Sequence, residues 1–178
     1  ASLGWAVTAS YIDDQDLIIE AVKPNQPEYY ETAAGVKKFR SRPSIIQIRN
    51  QPPVTIMLRW SENGPIIAFN QNKTFEVTPD NHVIALAATA LQENDYSIEA
   101  FLTLMQSQSL AEAQNALKNF HSPSLTVTLV DESNVALQTI GLRPSRDPDH
   151  DTFGRYPSLG VNPKNKWLGF LPEHSSPC

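Results

Sequence analysis

Residues 3 to 20, LGWAVTASYIDDQDLIIE, constrain the fold more than any other stretch of the chain. Leu3, Trp5 and Val7 alternate with smaller neighbours, the pattern of a strand packed on one face. Leu17-Ile18-Ile19 is a continuous apolar run, which predicts a second strand covered on both faces. Asp13, Asp14 and Asp16 lie between them, so three carboxylates sit in a tight turn held by two rigid elements.

Beyond this opening the hydrophobic period changes several times. Pro24 to Pro53 carries several prolines, the pair Tyr29-Tyr30 and a short strand at Ile45 to Arg49, which reads as an excursion at a sheet edge. Val54, Ile56, Leu58 and Trp60 alternate with Thr55, Met57 and Arg59, a half-buried strand that Glu62-Asn63-Gly64 turns into Pro65 to Phe69. Ile98, Phe101, Leu102 and Met105 then fall at i, i+3, i+4 and i+7, predicting a helix with that face inward. Ser109-x-x-Glu112 is a capping box that opens a second helix, with Leu110, Ala113, Leu117 and Phe120 inward. Leu125, Val127 and Leu129 alternate with Thr126 and Thr128, and Asp131 to Asn134 turns the chain into Val135 to Ile140.

From Arg143 onward periodicity vanishes, predicting an extended loop that needs a neighbouring surface to order it. The expected organisation is one segment over 1–178: strand-rich 1–80, a helical pair in 95–120, a hairpin in 124–141 and extended loops in 143–178. Strands, then helices, then strands argue for an α+β fold rather than a βαβ array.

A chain of 178 residues is long enough to bury a sizeable core. Its net charge is -5 and its 14 Lys and Arg residues are scattered, so no basic footprint for nucleic acid is present. No apolar run approaches the roughly 18 residues of a membrane span, and no charged-then-apolar segment opens the chain. The single cysteine, Cys178, excludes an intrachain disulfide and at the chain end lacks the base and shielded pocket of a nucleophile.

The motif order resembles the penicillin acylase family of N-terminal-nucleophile hydrolases. In that family a Trp-Gly-x-Thr strand runs into an Asp-x-x-Asp turn and a hydrophobic strand ending in Glu; here those positions are Trp5, Ala6, Thr8, Asp13, Asp16 and Glu20. Asn63-Gly64-Pro65-Ile66 resembles the family's His-Gly-Pro-aliphatic hairpin, and EAFLTLMQSQSLAEAQNAL the helix pair that follows it. Val130-Asp131, Gly141-Leu142-Arg143-Pro144, Gly154-Arg155-Tyr156-Pro157 with Gly160, and Trp167-Leu168-Gly169-Phe170-Leu171-Pro172 echo later motifs in order. Ala6 replaces a Gly, Asn63 a His, and Leu125-Thr126 an amide pair common among relatives, the marks of a divergent member.

The resemblance implies an αββα-type N-terminal-nucleophile hydrolase fold, of which this chain is an internal piece. It further implies a parent that cleaves a small acyl-amide substrate between an acyl group and an amine leaving group, with the remainder of the acylase chain as partner. Exported relatives imply a periplasmic or secreted location. A non-catalytic binding or structural module that retains the architecture is the competing reading, and the sequence upstream of Ala1 distinguishes the two.

In the resembled family the nucleophile is a serine whose own α-amino group is the base. This chain begins with Ala1, and Ser2 matches a strand position downstream of that nucleophile, so the segment alone is expected to be inactive. The resemblance implies that the backbone N–H of Ala9 is one oxyanion-hole donor and that Val7 and Tyr11 face the acyl pocket. Read simply as strand residues, Ala9 would pair in a sheet and Val7 would lie in a core. The resemblance also implies a structural calcium on Asp13, the Gln15 carbonyl and Asp16, with its other ligands elsewhere. The plainer reading is a set of solvated turn carboxylates.

Asp147, Asp149, His150 and Asp151 form a second acidic cluster, flanked by Arg143 and Arg146, which reads as a flexible solvated loop. His82, His121 and His174 have no Ser or Cys partner in a readable motif. Finally, the strands at Leu3 to Thr8 and Leu17 to Val22 are expected to lack neighbours and to drive self-association.

Overall fold

The computed structural model describes residues 3–67 and 78–171. Its strands are β1 (Gly4–Ala9), β2 (Gln15–Ala21), β3 (Tyr29–Thr32), β4 (Gly35–Lys38), β5 (Arg40–Ile46), β6 (Val54–Ser61), β7 (Gly64–Ile67) and β8 (His82–Ala88). Helices α1 (Ser97–Gln106) and α2 (Leu110–Leu117) follow, then β9 (Leu125–Val130), β10 (Val135–Ile140), β11 (Pro144–Arg146), β12 (Ser158–Leu159) and β13 (Trp167–Phe170). The fold is α+β. The chain forms two compact units, one of Ala1–Asp14, Ala88–Ser145 and Trp167–Cys178, the other of Gln15–Ala87 and Arg146–Lys166.

The first unit is a three-stranded antiparallel sheet in the order β1-β9-β10, with the two helices on one face. Val127 and Leu129 of β9 and Ile140 of β10 pack against Ala100, Leu104, Ala113, Ala116, Leu117 and Phe120. Phe101 and Phe120 meet edge to face at 5.0 Å, the geometry that aromatic quadrupoles favour. The expected cap forms with one partner shifted: Ser109 Oγ accepts from the Glu112 N–H at 3.3 Å, while Glu112 Oε2 accepts at 2.9 Å from the N–H of Gln108, the residue before the cap. The Asp131–Asn134 turn also forms, with Asp131 Oδ1 accepting from the N–H groups of Ser133 and Asn134.

The phase of α1 differs from the sequence expectation. Its buried residues are Ser97, Ala100 and Leu104, while Ile98, Leu102 and Met105 are 79%, 54% and 68% exposed. Ala100 and Leu104 belong to the core, Phe101 of the expected stripe also packs against it, and the rest of that stripe faces outward. Trp5 and Val7 on β1, the end strand of this sheet, are also about half exposed, although the Trp5 ring lies 6.1 Å from that of Phe101 on α1.

The second unit holds a six-stranded sheet in the order β12-β2-β8-β7-β6-β5 and the separate hairpin β3-β4. Its buried apolar residues include Ile18, Tyr30, Phe39, Ile84 and Ala85, and the Tyr30 and Phe39 rings stack at 4.6 Å. The β6-β7 hairpin turns at Gly64, as its sequence predicts, although Ala68 and Phe69 lie outside the described residues. The strand expected at Ile45 to Arg49 begins earlier, at Arg40, and ends at Ile46; as β5 it does form the sheet edge. The first half of β6 is exposed on both faces, so its alternation does not mark a buried side here.

Two further expectations are corrected in this unit. β2 has neighbours on both sides, β12 and β8, and is not a free edge. Its alternating burial puts Asp16, Ile18 and Glu20 inward and leaves Leu17 and Ile19 only partly covered. The segment after Arg143 contains three short strands and is not simply an extended loop.

Candidate functional site

The register of β1 against β9 determines where the Ala9 amide points. Ala9 lies opposite Leu125, and the Ser10 N–H donates to the Ser124 carbonyl at 3.4 Å one step further along the same register. Hydrogen-bonded and non-hydrogen-bonded pairs alternate in an antiparallel ladder. The Ala9 N–H is therefore directed away from β9, toward the edge of the sheet that carries no other strand among the described residues. Trp5 and Val7, an even number of residues away, have the same orientation and share one face with Ala9.

After Ala9 the chain turns sharply. Tyr11 has φ of 54° and is 95% exposed, a left-handed conformation that is costly for a bulky residue. Asp14 anchors this turn within the first unit: its carbonyl accepts from the Thr89 N–H at 3.1 Å, and its Oδ2 accepts from the hydroxyls of Thr89 and Ser124, both at 3.3 Å. Val7 is 45% exposed, so it is not a core residue of the described structure.

Asp16 begins the inward face of β2 and is not a solvated turn carboxylate. Its side chain is 1% exposed, and both oxygens accept from Arg146, Oδ2 from Nε at 3.0 Å and Oδ1 from Nη2 at 2.7 Å. Asp13 and Gln15, by contrast, are exposed. Among the described residues no three or more His, Cys, Asp or Glu side chains are grouped to hold a metal ion. A dication on Asp16 would face a guanidinium already bound to both carboxylate oxygens, so the residues present do not fit the calcium that the resemblance implies.

Glu20, fully buried on the same face of β2, was missed as a site residue by sequence reasoning. Its Oε1 accepts from Asn63 Nδ2 at 2.9 Å, and the backbone of Gly160 lies directly against Oε2. Burial pushes this carboxyl above its ordinary value, opposed by hydrogen bonds from Ser61 and Asn63. The two-residue spacing of Asp16, Ile18 and Glu20 was the available signal. Next to Asn63, Glu62 is bonded by both Lys37 and Lys166. Burial would raise the Glu62 carboxyl, but these two cations outweigh it and hold it below the ordinary range.

The second acidic cluster is likewise ordered. His150 is 3% exposed and its Nδ1 accepts from the N–H groups of Thr152 and Phe153. Asp149 pairs with Lys164, and Asp151 accepts from Asn165 and Asn162, which hold its carboxyl below the ordinary value. His82 bonds the Asp80 carbonyl and His121 lies edge-on to Tyr96. His174, Ser2 and Cys178 lie outside the described residues.

Comparison with known proteins places this geometry in a family context. The family model described as penicillin amidase matches residues 1–178. Among solved structures the chain is similar to a thermostable penicillin G acylase from Alcaligenes faecalis, with a TM-score of 0.83 and 19% sequence identity. That match covers 98% of this chain and 30% of the acylase chain. At this identity the likeness establishes the fold. No curated protein sequence matches.

Proposed function

Because the chain belongs to the penicillin amidase family over residues 1–178, we propose that it is a scaffold and pocket-wall segment of an amidohydrolase acting on a linear amide. The parent would separate an acyl group from an amine leaving group, using a serine nucleophile with an α-amino base supplied from outside these residues. As the serine oxygen adds to the amide carbonyl, the carbonyl oxygen gains negative charge. A fixed N–H donor aimed at that oxygen stabilises it without reorganisation. The outward direction of the Ala9 N–H is the observation that carries this reading. Val7 and Tyr11, on either side of it, would contact the acyl group.

The replacement of His by Asn at position 63 does not favour a non-catalytic module. Asn63 donates to the buried Glu20, a structural task that an amide performs as well as an imidazole. The segment alone would show no turnover on chromogenic phenylacetyl or long-chain acyl amides.

Substitution of Ala9 in the complete parent protein tests the proposal. Ala9→Pro removes the N–H at a position where it does not bond β9, and proline is tolerated on such an edge. Loss of one oxyanion donor should lower kcat by roughly 10²- to 10³-fold, with KM changed far less, whereas Ala9→Gly should retain most activity. Full activity in a folded Ala9→Pro variant would remove Ala9 from the mechanism. The edge of β1 that carries no strand among the described residues is also where the isolated chain would self-associate; a strictly monomeric species by sedimentation at high micromolar concentration would refute that.

A further inference from the structure

We propose that Arg146 supplies, from within the chain, the positive charge at the Asp16 carboxylate, so that this position is an internal ion pair and not a calcium site. The pair is built as such a role requires. Asp16 is nearly inaccessible and Arg146 is 12% exposed, so neither charge is dissipated in water. The contact is bidentate through Nε and Nη2, the planar match that only a guanidinium makes with a carboxylate. Calcium needs about six to eight oxygens in its shell, and it gains nothing from a carboxylate whose oxygens face a fixed cation. The neighbouring Asp14 is directed to Thr89 and Ser124 within the first unit.

The pair also ties distant parts of the sequence together. Asp16 is the second residue of β2 and Arg146, the last of β11, starts the long segment that returns as β12 beside β2, where Ser158 and Leu159 pair with Ile18 and Ile19. An arginine tethered on that segment can hold it only while Asp16 remains charged and free of a competing ion. An exogenous cation would neutralise Asp16 but release the segment.

Thermal unfolding of the whole protein, in EDTA and in 10 mM calcium, decides the matter when wild type, Asp16→Asn and Arg146→Gln are compared. The wild type should melt at the same temperature in both, with no calcium response that Asp16→Asn abolishes. Arg146→Gln, which removes the guanidinium bonded to both Asp16 oxygens, should melt lower than the wild type in EDTA and in calcium alike. A wild-type calcium stabilisation lost in Asp16→Asn would overturn the proposal. So would an Arg146→Gln protein with unchanged stability in EDTA. If Arg146→Gln fails to fold, Arg146→Lys, which keeps the charge but loses the bidentate contact, should still melt below the wild type, and the wild-type arm alone can refute the idea.

Discussion

Asn63 Nδ2 donates to Glu20 Oε1 at 2.9 Å, joining the β6-β7 turn to the inward face of β2 through a fully buried carboxyl. Burial raises this group above its ordinary value of 4.5, with Ser61 and Asn63 opposing, Glu62 adding to the rise and Lys166 opposing it. Between the unfolded and folded values the native state holds the proton more tightly, so its stability is full below about pH 4.5 and falls as pH rises through that window. Glu20→Gln should flatten this dependence while keeping the Asn63 bond. Glu20→Ala should cost about 2–4 kcal/mol at low pH, where Glu20 holds its proton, because it leaves a cavity and an unpaired amide, and less as pH rises because the buried charge is removed too. Melting temperatures from pH 4 to pH 8 check both; an unchanged pH slope in Glu20→Gln would show that Glu20 does not carry it.

Gly160 should be coupled to the same carboxyl. A methyl added there would lie 2.2 Å from Glu20 Oε2 and 3.1 Å from Ile18 Cγ2. Gly160→Ala is therefore expected to destabilise by roughly 1–3 kcal/mol through overpacking. In a Glu20→Ala background the methyl gains room and most of the cost should disappear. A double-mutant cycle by denaturant unfolding measures this; additive effects would mean that the two residues do not meet in solution.

Ser97 is a hydrogen-bond hub in the first unit. Its hydroxyl accepts from the N–H groups of His121 and Ser122 at 3.0 and 2.9 Å and donates to Asp95. Ser97→Ala should cost about 2–3 kcal/mol by stranding backbone donors, and chemical denaturation would measure it. Asp95 is held below its ordinary value by the Ser97 hydroxyl and N–H. Its contribution is present above the unfolded value and lost as pH falls through the folded one, so this acid limb should weaken in Ser97→Ala.

The elements that depend on local chemistry were legible in the sequence. The capping box at Ser109 and Glu112, the turn at Asp131 and the Gly64 hairpin are satisfied by neighbouring residues, and each forms where its pattern predicts. What escaped depends on residues far apart in the chain. Nothing near Asp16 announces Arg146, and nothing near Glu20 announces Gly160. The apolar run Leu17-Ile18-Ile19 also masks the alternation that puts Asp16 and Glu20 on the inward face with Ile18. For the candidate oxyanion donor, the family motif identified Ala9, but the direction of its N–H required the register with β9.

The phase of α1 supports a final prediction, because its sequence and its packing point to opposite faces. The apolar stripe Ile98, Leu102 and Met105 is the more hydrophobic, yet it is the exposed one, whereas Leu104 is 1% exposed against the sheet. Leu104→Ala should therefore cost about 2–5 kcal/mol, the usual range for emptying a buried leucine site. Ile98→Glu and Met105→Lys should change the stability of the isolated chain by no more than about 0.5 kcal/mol, as surface substitutions do. Urea unfolding of the three variants distinguishes the two phases. Should Ile98→Glu prove the costlier change, the helix would be turned in solution as its sequence periodicity suggests, and the packing of Ala100 and Leu104 on β9 would have to be abandoned.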